Sequence, residues 1–366
     1  MRNRVYNILV FVLLCFTFLV NSALANEVDS VVKCLSQARK KVYTYPDEAV
    51  QLLDSLQIHA TLTDLQQIEL LKLKASANAA QYNSYRAIEY AKEALRLAEK
   101  INSTEWQVIN LAFIGNQYYI INVKDEVINY LNRAESIISN KELNDSMRYI
   151  NGNIYFLKAI NFKENLDGDI AIKYFKKAIH VYEQVDSRST SRNIGISLIQ
   201  MGYIYNEQKQ LDSANVCYDK ALSLVKDQSL QDIYLYAQLG KSNVLSSQKK
   251  FREAIAKLNF LFDSLGLPSD PALLSELYEA LADNYLAVND ITHYTLNSNK
   301  RDSVLNHMIL QEQLVIDNLI AGNIKSNKVE VERYMKRHNV IVFTLGIVVL
   351  VLVIKLVFVF KKYIGN

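Results

Sequence analysis

Six side chains in this sequence carry amide, phenol or ammonium groups at positions where a ligand is expected: Asn116, Tyr119, Lys163, Tyr203, Asn206 and Lys241. Amides and tyrosine hydroxyls hydrogen-bond an extended peptide backbone, and lysines hold an acidic group. Ile160 falls beside them in register. The alternative is a solvated polar face without a dedicated ligand. Catalytic chemistry is not indicated. His59, His180, His293, His307 and His338 are scattered, with no H-E-x-x-H spacing. A G-x-S-x-G elbow, a phosphate-binding glycine loop and paired metal-binding cysteines are all missing from the sequence. No enzyme activity, cofactor or metal is therefore expected.

The elements that position those six residues follow from a repeat. Ala49, Ala87, Val127, Ala171, Ala214, Ala254 and Tyr294 are spaced by 38, 40, 44, 43, 40 and 40 residues. A period of this size marks a stacked repeat protein. Only 10 Gly and 3 Pro occur in 366 residues, and the apolar residues fall at helical spacing almost throughout. The expected fold is all-α: a solenoid of about six to seven helical pairs over residues 28–305, each packing on its neighbours.

The fifth unit is the clearest, with Leu198, Met201, Gly202 and Tyr205, then Ala214, Tyr218 and Ala221. The third carries Leu111, Ile114, Gly115, Tyr118, Val127, Leu131 and Ala134. The fourth carries Tyr155, Ala159, Phe162, Ala171, Phe175 and Ala178. This pattern resembles the tetratricopeptide repeat (TPR). The resemblance implies two antiparallel helices per unit, with Gly115, Ala159 and Gly202 where the paired helices cross. It also implies that first helices line a concave, partner-binding side, which is how the register selects the six residues above. The Lys/Asn clamp of the family's chaperone-binding members is not reproduced. The period exceeds the family's usual length, so helices or turns are longer. Asp125, Asp167, Asp169 and Asp212 lie near second-helix starts, where carboxylates cap free N–H groups. Cys34 and Cys217 fall in units one and five, so two separate buried thiols are expected.

Both ends read as membrane signals. Arg2 and Arg4 precede an apolar run and then Ala23-Leu24-Ala25, the order of a cleavable secretory signal over residues 1–25. An uncleaved anchor is the alternative. Residues 340–360 span roughly 31 Å as a helix, matching a hydrocarbon core of about 30 Å. Lys361 and Lys362 follow on the expected cytoplasmic side, and residues 361–366 form a short tail. Residues 306–339 read as a stalk or coiled-coil-like helix, with a possible homodimer contact; a helix folding back on the last repeat is the alternative. The expected location is a bacterial inner membrane, single-pass, with the repeats in the periplasm. Setting aside Arg2, Arg4, Lys355, Lys361 and Lys362 leaves 36 of the 41 basic residues against 38 acidic ones, so no nucleic-acid partner is expected.

Asp-Ser followed by an apolar residue occurs six times, at Ser30, Ser55, Ser146, Ser213, Ser264 and Ser303. The tripeptide is similar to an O-glycosylation signal of some Gram-negative bacteria. Asp-Ser pairs also suit helix ends, which is the competing explanation. Two functions follow. One is an anchored scaffold for a protein or peptide partner. The other is the sensory ectodomain of a membrane-bound regulator or histidine kinase, whose architecture this chain resembles without the cytoplasmic output domain.

Overall fold

The structure is a computed structural model, described here for residues 30–310 except 140–141, 166, 186 and 226–229, with 313 and 335 as single helical residues. The described residues fold as fourteen helices and no strand. Residues up to Asn306 belong to one compact unit, and His307–Asn366 to a second. The sequence segments 1–25, 340–360 and 361–366, and nearly all of 311–339, lie outside the described residues. Among the described residues no helix is long and apolar enough to cross a membrane.

The helices form seven pairs. α1 (residues 30–41) precedes α2 (Pro46–His59), and α3 (Asp64–Ala80) precedes α4 (Ser84–Lys100). Next come α5 (Thr104–Ile120) with α6 (Lys124–Ile138), and α7 (Asp145–Glu164) with α8 (Gly168–Tyr182). α9 (Ser187–Glu207) pairs with α10 (Leu211–Ser223), and α11 (Gln231–Ser247) with α12 (Phe251–Leu265). α13 (Pro271–Ala287) leads into α14 (residues 291–310).

One turn geometry recurs between the members of a pair, and it fixes the period. Tyr82, Asn122, Lys209, Lys249 and Asn289 each take a left-handed φ between 59° and 64° two residues past a first helix. The next N–H then reaches back five residues, as Val123 does to Tyr118 at 2.9 Å and Lys250 to Leu245 at 2.9 Å. This closes the carbonyls that a helix end leaves open. Ala49, Ala87, Val127, Ala171, Ala214, Ala254 and Tyr294 follow as the residues whose N–H groups make the first backbone bond of each second helix. The longer spacings of 44 and 43 have a simple cause. α7 has 20 residues and α9 has 21, against 17 in α3, α5, α11 and α13.

First and second helices bury different amounts of surface. α4 buries one stripe, Ala87, Ile88, Ala91, Ala94, Leu95 and Ala98, at i, i+3/i+4 spacing. α3 buries positions on both flanks, from Ile68 and Leu71 to Ala75 and Asn78. First helices also touch first helices along the stack, α3 on α5, α5 on α7, α7 on α9, α9 on α11 and α11 on α13. Among the described residues, no two second helices pack comparably. The first helices thus crowd onto the inner side of the bend.

The small residues do what their positions imply. A Cβ on Gly115 would stand 2.8 Å from Leu131 of the partner helix. One on Gly202 would stand 2.5 Å from the Tyr218 ring, and one on Gly240 2.3 Å from the same ring. Two successive first helices therefore leave room for one fully buried tyrosine. Of the four aspartates near second-helix starts, only Asp167 accepts a capping bond, from the Ile170 N–H at 3.4 Å. Asp125, Asp169 and Asp212 sit inside the first turn, where a carboxylate instead favours the helix dipole. Cys34 and Cys217 are both free, but Cys34 is half-buried where full burial was expected; Cys217 is buried.

Candidate ligand groove on the first helices

Lysine burial separates two kinds of site. Lys74 on α3 is buried and meets Asp54 of α2 at 2.6 Å. Lys158 on α7 is buried and pairs with Glu135 of α6, which Lys177 also approaches at 3.5 Å. Burial raises the Glu135 pKa, but the two lysines outweigh it and hold the carboxyl below its ordinary value. These are inter-helix ties, and buried charges are normally satisfied in this way.

Among the described residues, Lys72 and Lys163 have no such carboxylate within ion-pair reach. Both lie on inner faces of first helices, and each borders a cavity. The N-terminal cavity, about 420 Å³, is lined only from first helices: Lys72 of α3, Phe113 and Asn116 of α5, Asn153 and Phe156 of α7, and Asn193 of α9, with aliphatic residues between them. Lys72 donates to Ser76 Oγ at 2.8 Å and stands 4.0 Å from the Phe113 ring centroid. Burial pushes its ammonium down to about 8.

The C-terminal cavity, about 650 Å³, takes most of its lining from α7, α9, α11 and α13, with Phe251 of α12 added. Lys163 donates to Gln200 Oε1 at 2.6 Å and lies 5.5 Å from the Tyr203 ring. Burial lowers Lys163, against the pull of Glu207 and Glu276, and burial raises Glu276 against Lys163. Each is driven toward neutrality, and each partly restrains the other. Glu207, Glu279 and Asp283 add further carboxylates. Two buried polar atoms of this wall, Tyr203 Oη and Asn206 Oδ1, have no hydrogen-bond partner among the described residues. Burial pushes the Tyr203 phenol far up, so it stays a neutral donor.

The sequence-selected residues divide accordingly. Asn116 lines the N-terminal cavity, and Lys163, Tyr203 and Asn206 line the C-terminal one. Tyr119 donates to Glu164 at 2.8 Å; burial and Glu164 push its pKa up to about 12. Ile160 packs into the core around α7–α10. Lys241 holds the same register as Tyr203 but turns to Asp219 of α10, away from either cavity. The register reading missed Lys72, Phe156, Glu276 and Glu279. Lys72, Phe156 and Glu279 stand three residues before the small residues Ala75, Ala159 and Ala282, one turn back on the same face. Extending the register backward by one turn finds them.

Of the six Asp-Ser serines, Ser30, Ser55, Ser146, Ser264 and Ser303 are exposed and Ser213 is half-buried. His59, His180, His293 and His307 are all exposed. Among the described residues no cluster of three or more His, Cys, Asp or Glu is arranged to hold a metal ion.

At the level of sequence, no family model and no curated protein matches the chain. Solved structures do. One is a signal transduction ATPase with a tetratricopeptide repeat sensor from Pyrococcus horikoshii, at TM-score 0.63 and 16% identity over 78% of this chain and 44% of that one. The fold is that of the tetratricopeptide repeat. A TPR protein from Parabacteroides merdae matches at TM-score 0.52 and 14% identity, over 78% of this chain and 99% of its own. The apo form of RapI matches at 0.58 and 16%, over 71% and 69%. At these identities the likeness describes the TPR architecture, and the groove chemistry is this chain's own.

Proposed function

We propose that the chain is a membrane-anchored TPR scaffold that binds a protein or peptide segment in the groove of its first helices. The observation that carries this is the placement of Lys72, Lys163, Tyr203 and Asn206. Their charged or orphaned polar groups border cavities there, whereas Lys74 and Lys158 are tied off between helices. Unsatisfied buried groups are costly, and a bound backbone that supplies the partners relieves the cost. The N-terminal export pattern and the apolar run 340–360 support a repeat domain outside the cytoplasm, held at a bacterial inner membrane. Residues 306–339 would then act as the stalk.

The test is a peptide-display selection on the full chain in detergent. Selected peptides should lose at least about tenfold in affinity with Tyr203→Ala/Asn206→Ala, and little with Lys241→Ala. Equal loss in both variants would place binding elsewhere. A sensory ectodomain is the second reading, and the tetratricopeptide repeat sensor of the Pyrococcus signal transduction ATPase favours it only by analogy. A scaffold keeps one oligomeric state with and without peptide, and a sensor changes it. Topology is checked separately: export and cleavage give a mature N-terminus at Asn26. Glycosylation at the Asp-Ser serines is proposed for the same exported domain, and an intact mass equal to the bare mature chain would rule it out.

A further inference from the structure

We propose that the N-terminal cavity is a site for an apolar monocarboxylate, its carboxylate on the Lys72 ammonium and its apolar body along Phe113 and Phe156. The inference rests on the groove being a binding surface and adds the chemistry of one ligand.

The charge is the first argument. Lys72 is the single ionisable residue among those lining this cavity. An ammonium has three donors, and Lys72 directs one to Ser76 Oγ. The face of Phe113 offers a weak attraction and no acceptor. The remaining donors point to an anion, since a lone charge in apolar surroundings is costly unless paired.

The neighbouring amides form a network that orients one of them, Asn153. Asn153 Oδ1 accepts from Tyr182 Oη at 2.6 Å and from Asn193 Nδ2 at 3.3 Å. Its oxygen is committed to those two donors, which leaves the amide nitrogen as its other end. Tyr182 is itself held in place under Gly152, where a Cβ would stand 2.4 Å from its ring. The network thus fixes which end of Asn153 is available.

Size and polarity set the rest. About 420 Å³ falls within the usual range of small-ligand sites, roughly 300–1,000 Å³. One cation matches one negative charge, so a monocarboxylate fits where a phosphate dianion would leave charge uncompensated. The C-terminal cavity, rich in carboxylates, repels the same ligand.

Calorimetric titration of the full chain with decanoate, decanamide, and a Leu-terminated hexapeptide in free-acid and amidated forms tests this. Decanoate should bind, and decanamide should bind at least about tenfold more weakly, because a hydrogen bond to a charged group is lost. Lys72→Met should weaken decanoate by a similar factor, and Lys163→Met should not; thermal melts confirm that both variants fold. A Lys72-dependent preference for the free-acid over the amidated peptide would make the source a chain terminus. Binding of decanoate without that preference would make it a free acid. Equal affinity for decanoate and decanamide, or decanoate binding unchanged in Lys72→Met, overturns the proposal. Peptide selection through Tyr203 and Asn206 with no carboxylate binding also overturns it, and leaves the groove reading standing.

Discussion

The two cavities are both lined mainly by successive first helices but differ in composition. Phe113, Phe156 and aliphatic residues surround one cation in the N-terminal cavity. The C-terminal cavity has its cation too, Lys163, but sets Glu207, Glu276, Glu279 and Asp283 near it. A TPR stack supplies the same backbone positions in every repeat, so the lining can change polarity without a change of fold. Lysines that tie helices together are likewise distinct from lysines that border a cavity.

The most severe disruption should come from a tie. Lys158→Met leaves Glu135 with Lys177 only, and should lower unfolding stability in urea by about 3 kcal/mol at pH 7. Glu135 has a depressed pKa in the fold. Its contribution is therefore complete above the unfolded value near 4.5 and is lost as pH falls through the folded one. The variant and the parent should converge in acid. A loss that persists unchanged at low pH would show that packing, not the ion pair, is responsible.

Next come the glycines behind the two halves. Gly240→Ala pushes a methyl into the rigid Tyr218 ring, and should cost about 2 kcal/mol. Gly115→Ala meets the flexible end of Leu131, and should cost about half as much. Thermal melts rank the two. The reverse order would mean that the N-terminal half is the more tightly packed.

Lys72→Met should have the opposite sign to Lys158→Met, stabilising the chain by about 1 kcal/mol at pH 7. The Lys72 pKa in the fold, about 8, lies below the unfolded 10.5. Its ammonium is therefore a burden below pH 8, and the burden disappears as pH rises from 8 toward 10.5. The gap between parent and variant should close over that window. The smallest expected effect is in the turns. Lys249→Gly relieves a left-handed φ of 62° and should add about 1 kcal/mol. Asn122→Gly should add a few tenths, about 0.3 kcal/mol, since asparagine tolerates that conformation.

The repeat was legible because it is dictated by local geometry. Ala87, Ala214 and Ala254 recur since the turn before them has one form and the space beside them admits only small side chains. The same register placed Asn116, Tyr203 and Asn206 on the cavity walls. Lys241 shows where that reasoning stops: register fixes where a Cβ points, and a long side chain then follows the nearest carboxylate, here Asp219. Asp125 and Asp212 failed as caps because the left-handed turn residues precede them by three positions and put the cap at Val123 and Gln210. Cys34 is less buried than expected because it flanks the buried stripe of Val31, Leu35 and Ala38 on α1. The Lys72 cavity was not legible, since four separate helices build it and no one of them carries a motif.

The most direct test is the titration of the Lys72 ammonium, followed by NMR of lysines labelled at Cε and Nζ, with Lys72→Met assigning the signal. A midpoint near 8 that moves up when decanoate is added is the expected result. A midpoint at the ordinary 10.5, unmoved by decanoate, would contradict the account, because Lys72 would then be a solvated surface charge.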